Sequence, residues 1–258
     1  MTNEEFSNEF DVLYNSITSN QAPGLDEYEK SVFLTKAEKD LVREHFNPRV
    51  DGADGGFDGS QKRQYDFSML IKTAQLDYLI EGDYPEVTKL TKLDNRSLLF
   101  KFPSDYFLSV NEVVVDEDAN AILSVIPLSY QEYQRLMTKP YAYPPKRIAW
   151  RLFTGTITIE EDSTTYPVAE IIGKFISQKD NISYNLRYVK QPRPIVLIAF
   201  DDTDGVSIDG VKTKTECELP AQMHQEILER AVTLAKIAYQ GGSTSTLAQQ
   251  QSRNNQQQ

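Results

Sequence analysis

The side chains able to do chemistry are few and scattered. Asp201, Asp202 and Asp204 crowd the stretch DDTDG just after an apolar run, where carboxylates at a strand exit could hold a divalent metal in a nuclease or hydrolase. No Glu/His set or x-Lys motif accompanies them, so they read as a solvated turn. A second acidic cluster, Asp51, Asp54 and Asp58, alternates with Gly52, Gly55, Gly56 and Gly59. Its spacing is wrong for a calcium loop, which needs ligands at positions one, three and five and a closing Glu. No G-x-x-x-x-G-K-[ST] phosphate loop occurs either. Two histidines in the whole chain leave little for acid–base work. His45 falls near a helix end, and His224 reads as an exposed or capping residue. The one cysteine, Cys217, has no partner for an internal disulfide and reads as a small buried apolar side chain. The residues exclude no single function, but they favour a chain with no catalytic set, no cofactor and no metal.

The elements that would position these residues are better defined. Ser129 and Glu132 form an S-x-x-E capping box, which predicts a helix from Tyr130 with Tyr133, Leu136 and Met137 on one face. Pro140 stops it, and Tyr141, Tyr143, Pro144 and Pro145 impose an extended path into a strand at Ile148 that carries Trp150 and Arg151. Thr2 and Glu5 repeat the box ahead of Phe6, Phe10, Leu13, Tyr14 and Ile17. Leu25–Phe33 reads as a second short piece. Thr35 and Glu38 predict a third helix ending at Asn47-Pro48. Strands are expected at Met69–Thr73, Leu98–Phe102, Glu112–Val115, Ala121–Ile126, Ile148–Thr158, Tyr166–Ile172, Ile182–Val189 and Ile195–Phe200. Acidic turns at 116–120 and 160–164 make two hairpins. The continuous apolar run at Ile195–Ile198 implies a central strand covered on both sides. Met223, Ile227, Ala231, Leu234 and Ala238 recur at helical spacing after Pro220.

The predicted class is α+β, with N-terminal helices, a central, mostly antiparallel β-rich domain, a long C-terminal helix and an extended polar tail. The expected divisions are an N-terminal helical segment 1–48, a Gly/Asp-rich loop 49–64, a β-rich core domain 65–215, a C-terminal helix 216–240 and an extended arm 241–258. A net charge of −11 argues against a protein built to grip nucleic acid, although a phosphate-repelling surface suits DNA that slides past. A mean hydropathy of −0.48 with no long apolar run predicts no membrane span, and the acidic start lacks a secretory pattern.

Three runs carry a resemblance: EYQRLMTKPYAYPPKRIAWRL (132–152), YNLRYVKQPRPIVL (184–197) and ELPAQMHQEILERAVTLAKIAY (218–239). Together with residues 10–42 they resemble structural proteins of crAss-like, short-tailed bacteriophages, the adaptor or ring proteins of the head-to-tail connector. The resemblance implies a virion protein assembled in the host cytoplasm. It would be a homomeric ring, expected to be a dodecamer, that contacts the portal and adjacent tail rings and lets DNA pass without specific binding. The expected interface residues are Tyr141, Tyr143, Trp150 and Arg151, then Met223, Ile227 and Leu234 on the last helix, and Leu247 and Arg253 in the arm. Aromatic and arginine side chains are favoured interface anchors, and each could equally fill a core. Two other readings are a capsid-packaged cargo or ejection protein, and a metal-dependent nuclease.

Overall fold

The computed structural model describes residues 1–15, 24–46, 67–76, 78–79, 90, 92–94, 96–139, 143–159, 164–175, 181–200 and 205–240. The loop at 49–64, the Asp201–Asp204 stretch, Tyr141, and the arm at 241–258 fall outside them in whole or in part. The chain divides into two compact units, Met1–Leu70 with Pro192–Gln258, and Ile71–Gln191. Among the described residues no helix is long and apolar enough to cross a membrane. The fold is α+β.

In the first unit, α1 (Asn3–Asn15) opens on the expected box: Glu5 Oε2 accepts the Thr2 amide at 2.8 Å, and Thr2 Oγ1 accepts the Glu5 amide at 3.3 Å. Phe6, Phe10 and Tyr14, four residues apart, are all buried. The second helix departs from expectation. Leu25–Phe33 and the piece from Thr35 form one helix, α2 (Glu27–Phe46), capped by Asp26 and Glu29, whose side chains take each other's amides at 2.7 and 3.1 Å. Thr35 and Glu38 match the capping pattern but lie buried in mid-helix. Sequence spacing alone cannot rank two overlapping boxes. What selects Asp26 is that Ser31 and Thr35 are needed elsewhere.

That use corrects the reading of Ile195–Phe200 as a central strand. The segment is extended, but among the described residues its ladder pairing is an isolated bridge from Val196 to Thr215, with the Phe200 amide on Lys212 O at 2.9 Å. The Ile195 amide goes to Thr35 Oγ1 at 3.0 Å and the Leu197 amide to Ser31 Oγ at 3.0 Å. Four residues of helix rise roughly 6 Å and two of extended chain roughly 6.6 Å, so hydroxyls at i and i+4 meet amides at j and j+2. Helix hydroxyls thus replace a neighbouring strand. The run is apolar because Ile195 and Val196 are fully buried and Leu197 nearly so.

The last helix, named α4 here, spans Ala221–Gln240 and packs on α1 and α2 through Met223, Ile227, Leu228, Ala231, Val232 and Ala235. Lys30, 3% exposed, ties α2 to α1 by an ion pair to Asp11 at 2.7 Å and pairs within α2 with Glu27 at 3.1 Å. Such burial requires these partners, since an isolated ammonium out of water is costly.

The second unit is one curled sheet in the order β1-β7-β3-β4-β5-β6-β2. Its strands are β1 (Ile71–Leu76), β2 (Leu98–Lys101), β3 (Tyr106–Asp116), β4 (Ala121–Pro127), β5 (Ile148–Ile159), β6 (Thr164–Ile172) and β7 (Ile182–Lys190). All neighbours are antiparallel except β4 and β5. The edges approach each other: Tyr78, just past β1, bridges to Phe100 of β2, and the Leu79 amide reaches Leu99 O at 2.8 Å. Phe100, Phe102, Leu123, Tyr184 and Leu186 fill the interior. β3 is longer than the expected Glu112–Val115 because its first half pairs with β7 through register shifts after Tyr106 and Ser109. Such shifts erase the two-residue alternation that marks a strand in sequence. The 116–120 turn closes the β3–β4 hairpin, with Asn120 at φ 45° and its amide on Glu117 O at 3.1 Å. β5 and β6 pair as the second expected hairpin.

Parallel strands need a crossover, and the capped helix supplies it. α3 (Tyr130–Met137) begins at Ser129, whose Oγ accepts the Glu132 amide at 3.2 Å while Glu132 Oε2 accepts the Ser129 amide at 2.9 Å.

Candidate assembly and binding surfaces

Alternation along β5 sends its residues to opposite faces of the sheet. Trp150 and Leu152 point outward beneath α3, where Tyr133 meets Trp150 edge-on at 6.4 Å, and Ile172 and Leu136 complete the cluster. Trp150 is 7% exposed. Tyr143, half-buried at the margin, donates its hydroxyl to Gly173 O at 3.1 Å. Burial, then the charge of Asp94, pushes its phenol up to about 12.

Arg151 points inward. Its Nε lies 2.8 Å from Glu112 Oε2, both side chains are almost fully buried, and Tyr184 donates its hydroxyl to the same carboxylate at 2.5 Å. The guanidinium covers the Phe153 ring at 4.4 Å and the Phe102 ring at 5.7 Å. The carboxylate neutralises the arginine and satisfies the phenol, so a charged cluster sits at tolerable cost inside an apolar barrel. Burial and the Glu112 charge together push the Tyr184 phenol far above its ordinary range.

A second buried carboxylate acts on a loop. Glu170 of β6 accepts the Leu93 amide at 2.9 Å, the Asp94 amide at 3.2 Å and the Ser97 hydroxyl. It pins Leu93, Asp94 and Ser97 against the sheet. No sequence motif announces it, because its partners are two backbone amides and one hydroxyl more than 70 positions away in the chain.

On α4, Met223 and Ile227 are buried and Leu234 half-buried. His224, read from sequence as exposed or capping, is 7% exposed: Nε2 bonds Leu219 O at 2.8 Å and the ring tilts onto Phe6 at 5.2 Å. Burial holds its pKa below the ordinary value. Helical spacing places it on the stripe beside Met223 and Ile227, a signal that its polar type obscured. The Cys217 thiol donates to Glu38 Oε1 at 3.3 Å, and burial followed by that carboxylate raises its pKa. Leu247, Arg253 and Tyr141 lie outside the described residues, as do the carboxylates Asp201, Asp202 and Asp204 and those at 51–58. Among the described residues no cluster of three metal-ligating side chains occurs.

Trp150, Arg151, Met223 and Ile227 therefore spend most of their surface inside their own units. The large apolar side chains left in water are others. In the second unit they include Ile122 (64% exposed), Ile126, Tyr130 and Met137. β4 is apolar on both faces: Leu123 and Val125 point into the barrel, while Ile122 and Ile126 point out beside the area that α3 covers. In the first unit, Val12, Ile198, Ile237 and Tyr239 are exposed. The signal was present in β4, where a half-wet strand should carry polar residues at 122 and 126.

The whole length of the fold can be compared with known proteins. The family model described as phage tail ring protein 3/4 matches residues 1–247. The chain belongs to the phage tail ring protein 3/4 family. It is 44% identical over 243 residues to "Ring protein 4/5" of Bacteroides phage crAss001, covering 93% of this chain and 94% of that protein. It is also 34% identical over 244 residues to "Ring protein 3" of the same phage, covering 92% and 96%. All the helices and strands described for this ring protein family member, and the crossover between β4 and β5, lie inside the matched span.

Proposed function

We propose that this chain is a structural, non-enzymatic subunit of a homomeric ring at the head-to-tail junction of a short-tailed phage. Twelve copies would stack against the portal and adjacent tail rings and form part of the wall of the DNA conduit. The observation that carries this reading is the match to tail ring proteins over nearly the full length of both chains. Two further features support it. Ile122, Ile126, Tyr130 and Met137 leave apolar surface for a neighbour to cover. A net charge of −11 lets duplex pass without adhering. The proposed contacts are these residues with Tyr143, Leu234 and Tyr141, and an arm at 241–258 carrying Leu247 and Arg253. Trp150 packs beneath α3, and Arg151, Met223 and Ile227 fill the interiors of their own units.

The test is quantitative mass spectrometry of purified virions, giving copies of this chain per portal protein. A small whole-number ratio supports a ring, and symmetric reconstruction of the junction then gives its fold of symmetry and place in the stack. A large or variable excess supports packaged cargo, and absence from the particle overturns the virion assignment.

A further inference from the structure

The outward face of α2 forms one wall of a groove of about 360 Å³ within the first unit. The other wall is a tight turn that carries Ile208 and Asp209. Ile208 and Val211 exchange backbone hydrogen bonds at 3.0 and 2.9 Å, with Asp209 at φ 49° and Gly210 at φ 81°, so this wall is preformed. Along α2 the lining runs Val32, Lys36, Lys39 and Arg43, in steps of three or four residues that keep them on one face. Val32, 37% exposed, and Ile208 make an apolar end. The remainder is basic: three cations face two carboxylates, Asp40 and Asp209, a net charge of +1 (3 − 2) in a chain of net charge −11. Asp209 holds Lys39, and Arg43 Nη1 stands 3.7 Å from Asp40 Oδ1. Lys36 is exposed, and its ammonium has no hydrogen-bond or ion-pair partner among the described residues. The groove thus suits an apolar side chain with a carboxylate close behind it.

The second unit presents that pair on the β3–β4 hairpin. The turn at 116–120 holds three carboxylates, and no Lys or Arg occurs in residues 102–134. Asp116 is buried, and Asp118 accepts Asn181 Nδ2 at 3.0 Å. Glu117 is exposed, and its carboxylate has no partner among the described residues. The Glu117 amide bonds Asn181 O at 3.1 Å, which carries the ladder one step past β3. Because Val114 points into the barrel, alternation sends Val115 and Glu117 to the outer face, where Val115 lies opposite the exposed Ile122. Val115 and Glu117 are two strand residues apart, roughly 6.6 Å, and Val32 and Lys36 are four helix residues apart, roughly 6 Å. We infer that the groove on α2 receives the β3–β4 hairpin of a second copy, with Ile122 against Val32 and Ile208 and Glu117 on Lys36. An exposed ion pair adds little affinity, so the apolar contact holds the hairpin and the charges set its register. The inference rests on the ring reading. Groove and hairpin are different surfaces of one subunit, so each copy gives one and receives one, which is the head-to-tail contact that generates rings.

The test mixes unlabelled and ¹⁵N-labelled full-length chain and treats it with a carbodiimide, which condenses a lysine amine with a carboxylate in direct contact. The expected product is an amide between Lys36 and Glu117 of differently labelled copies. Sedimentation velocity then follows self-association of two charge reversals at exposed positions. Lys36→Glu and Glu117→Lys should each weaken it by about tenfold, because attraction becomes repulsion at every contact. Mixed in equal amounts, the two variants bring opposite charges together at every groove and should recover most of the loss. Ile122→Asp should also weaken association by about tenfold, with no recovery on mixing. A Lys36–Glu117 link found only within one copy, no such link, or a mixture that associates no better than either variant alone would each overturn the inference. The copy number of the chain per portal protein is a separate measurement. A whole-number ratio without the crosslink defeats this contact and leaves the ring, whereas absence from the particle defeats the ring reading itself.

Discussion

Replacing Arg151 by Met keeps much of the side-chain volume but strands Glu112 inside the barrel. The two side chains are 6% and 4% exposed, with Nε and Oε2 2.8 Å apart. Breaking a pair this deeply buried costs about 3–5 kcal/mol, because the surviving charge has lost its partner and cannot reach water. Arg151→Met with Glu112→Leu removes both charges and recovers most of that loss. What remains is the Tyr184 hydroxyl, which loses its acceptor at a cost of about 1–3 kcal/mol. Adding Tyr184→Phe removes that as well, so the triple variant should unfold within about 1 kcal/mol of the parent, since replacing such a cluster with apolar groups is often neutral. The assay is urea unfolding followed by tryptophan fluorescence. The chain has a single tryptophan, and Trp150 lies in the same unit, next to the substituted residue. The signal therefore reports this unit alone. A cost below about 1 kcal/mol for Arg151→Met, or a triple variant as unstable as the single one, refutes the account of a charge held only by its partners.

The same fluorescence signal tests three smaller effects. Ser129→Ala removes one arm of the α3 box and should cost about 1 kcal/mol, whereas Ser129→Asp should cost much less. Asn120→Ala places a Cβ-bearing residue without a compensating amide at φ 45° and should cost about 1 kcal/mol, with Asn120→Gly close to neutral. At alkaline pH the phenols set the direction. Tyr143 and Tyr184 ionise at ordinary values when unfolded but resist when folded, so their contribution is complete below roughly pH 10 and is lost as pH rises toward the folded values. For Tyr143 the window runs from the ordinary tyrosine value of 10.0 to about 12, and Tyr143→Phe should flatten that part of the pH–stability curve. Finally, Cys217 should react with iodoacetamide at pH 8 at least about tenfold more slowly in the folded chain than in urea, because burial and Glu38 keep its thiol protonated. Equal rates would contradict that environment.

Local chemistry determined much of this protein from its sequence. The boxes at Thr2–Glu5 and Ser129–Glu132, the proline stop after α3, the acidic β3–β4 turn and the stripe of α4 all follow from interactions among residues within a few positions of each other. The segments 132–152, 184–197 and 218–239 carried the ring-protein resemblance, and the match over residues 1–247 bears out the family. Tertiary structure decided what depends on distant partners. It chose Asp26 over Thr35 as the α2 cap because the Thr35 and Ser31 hydroxyls take amides 160 and 166 positions away. It turned an apolar run that looked like a central strand into an extended segment served by helix side chains. It also sent Arg151 and Trp150, adjacent in sequence, to opposite faces of β5, one paired with Glu112 and the other packed under α3. Residue type marks a side chain as able to anchor an interface or fill a core, and only the curl of the sheet and the placement of α3 decide which surface remains for a partner.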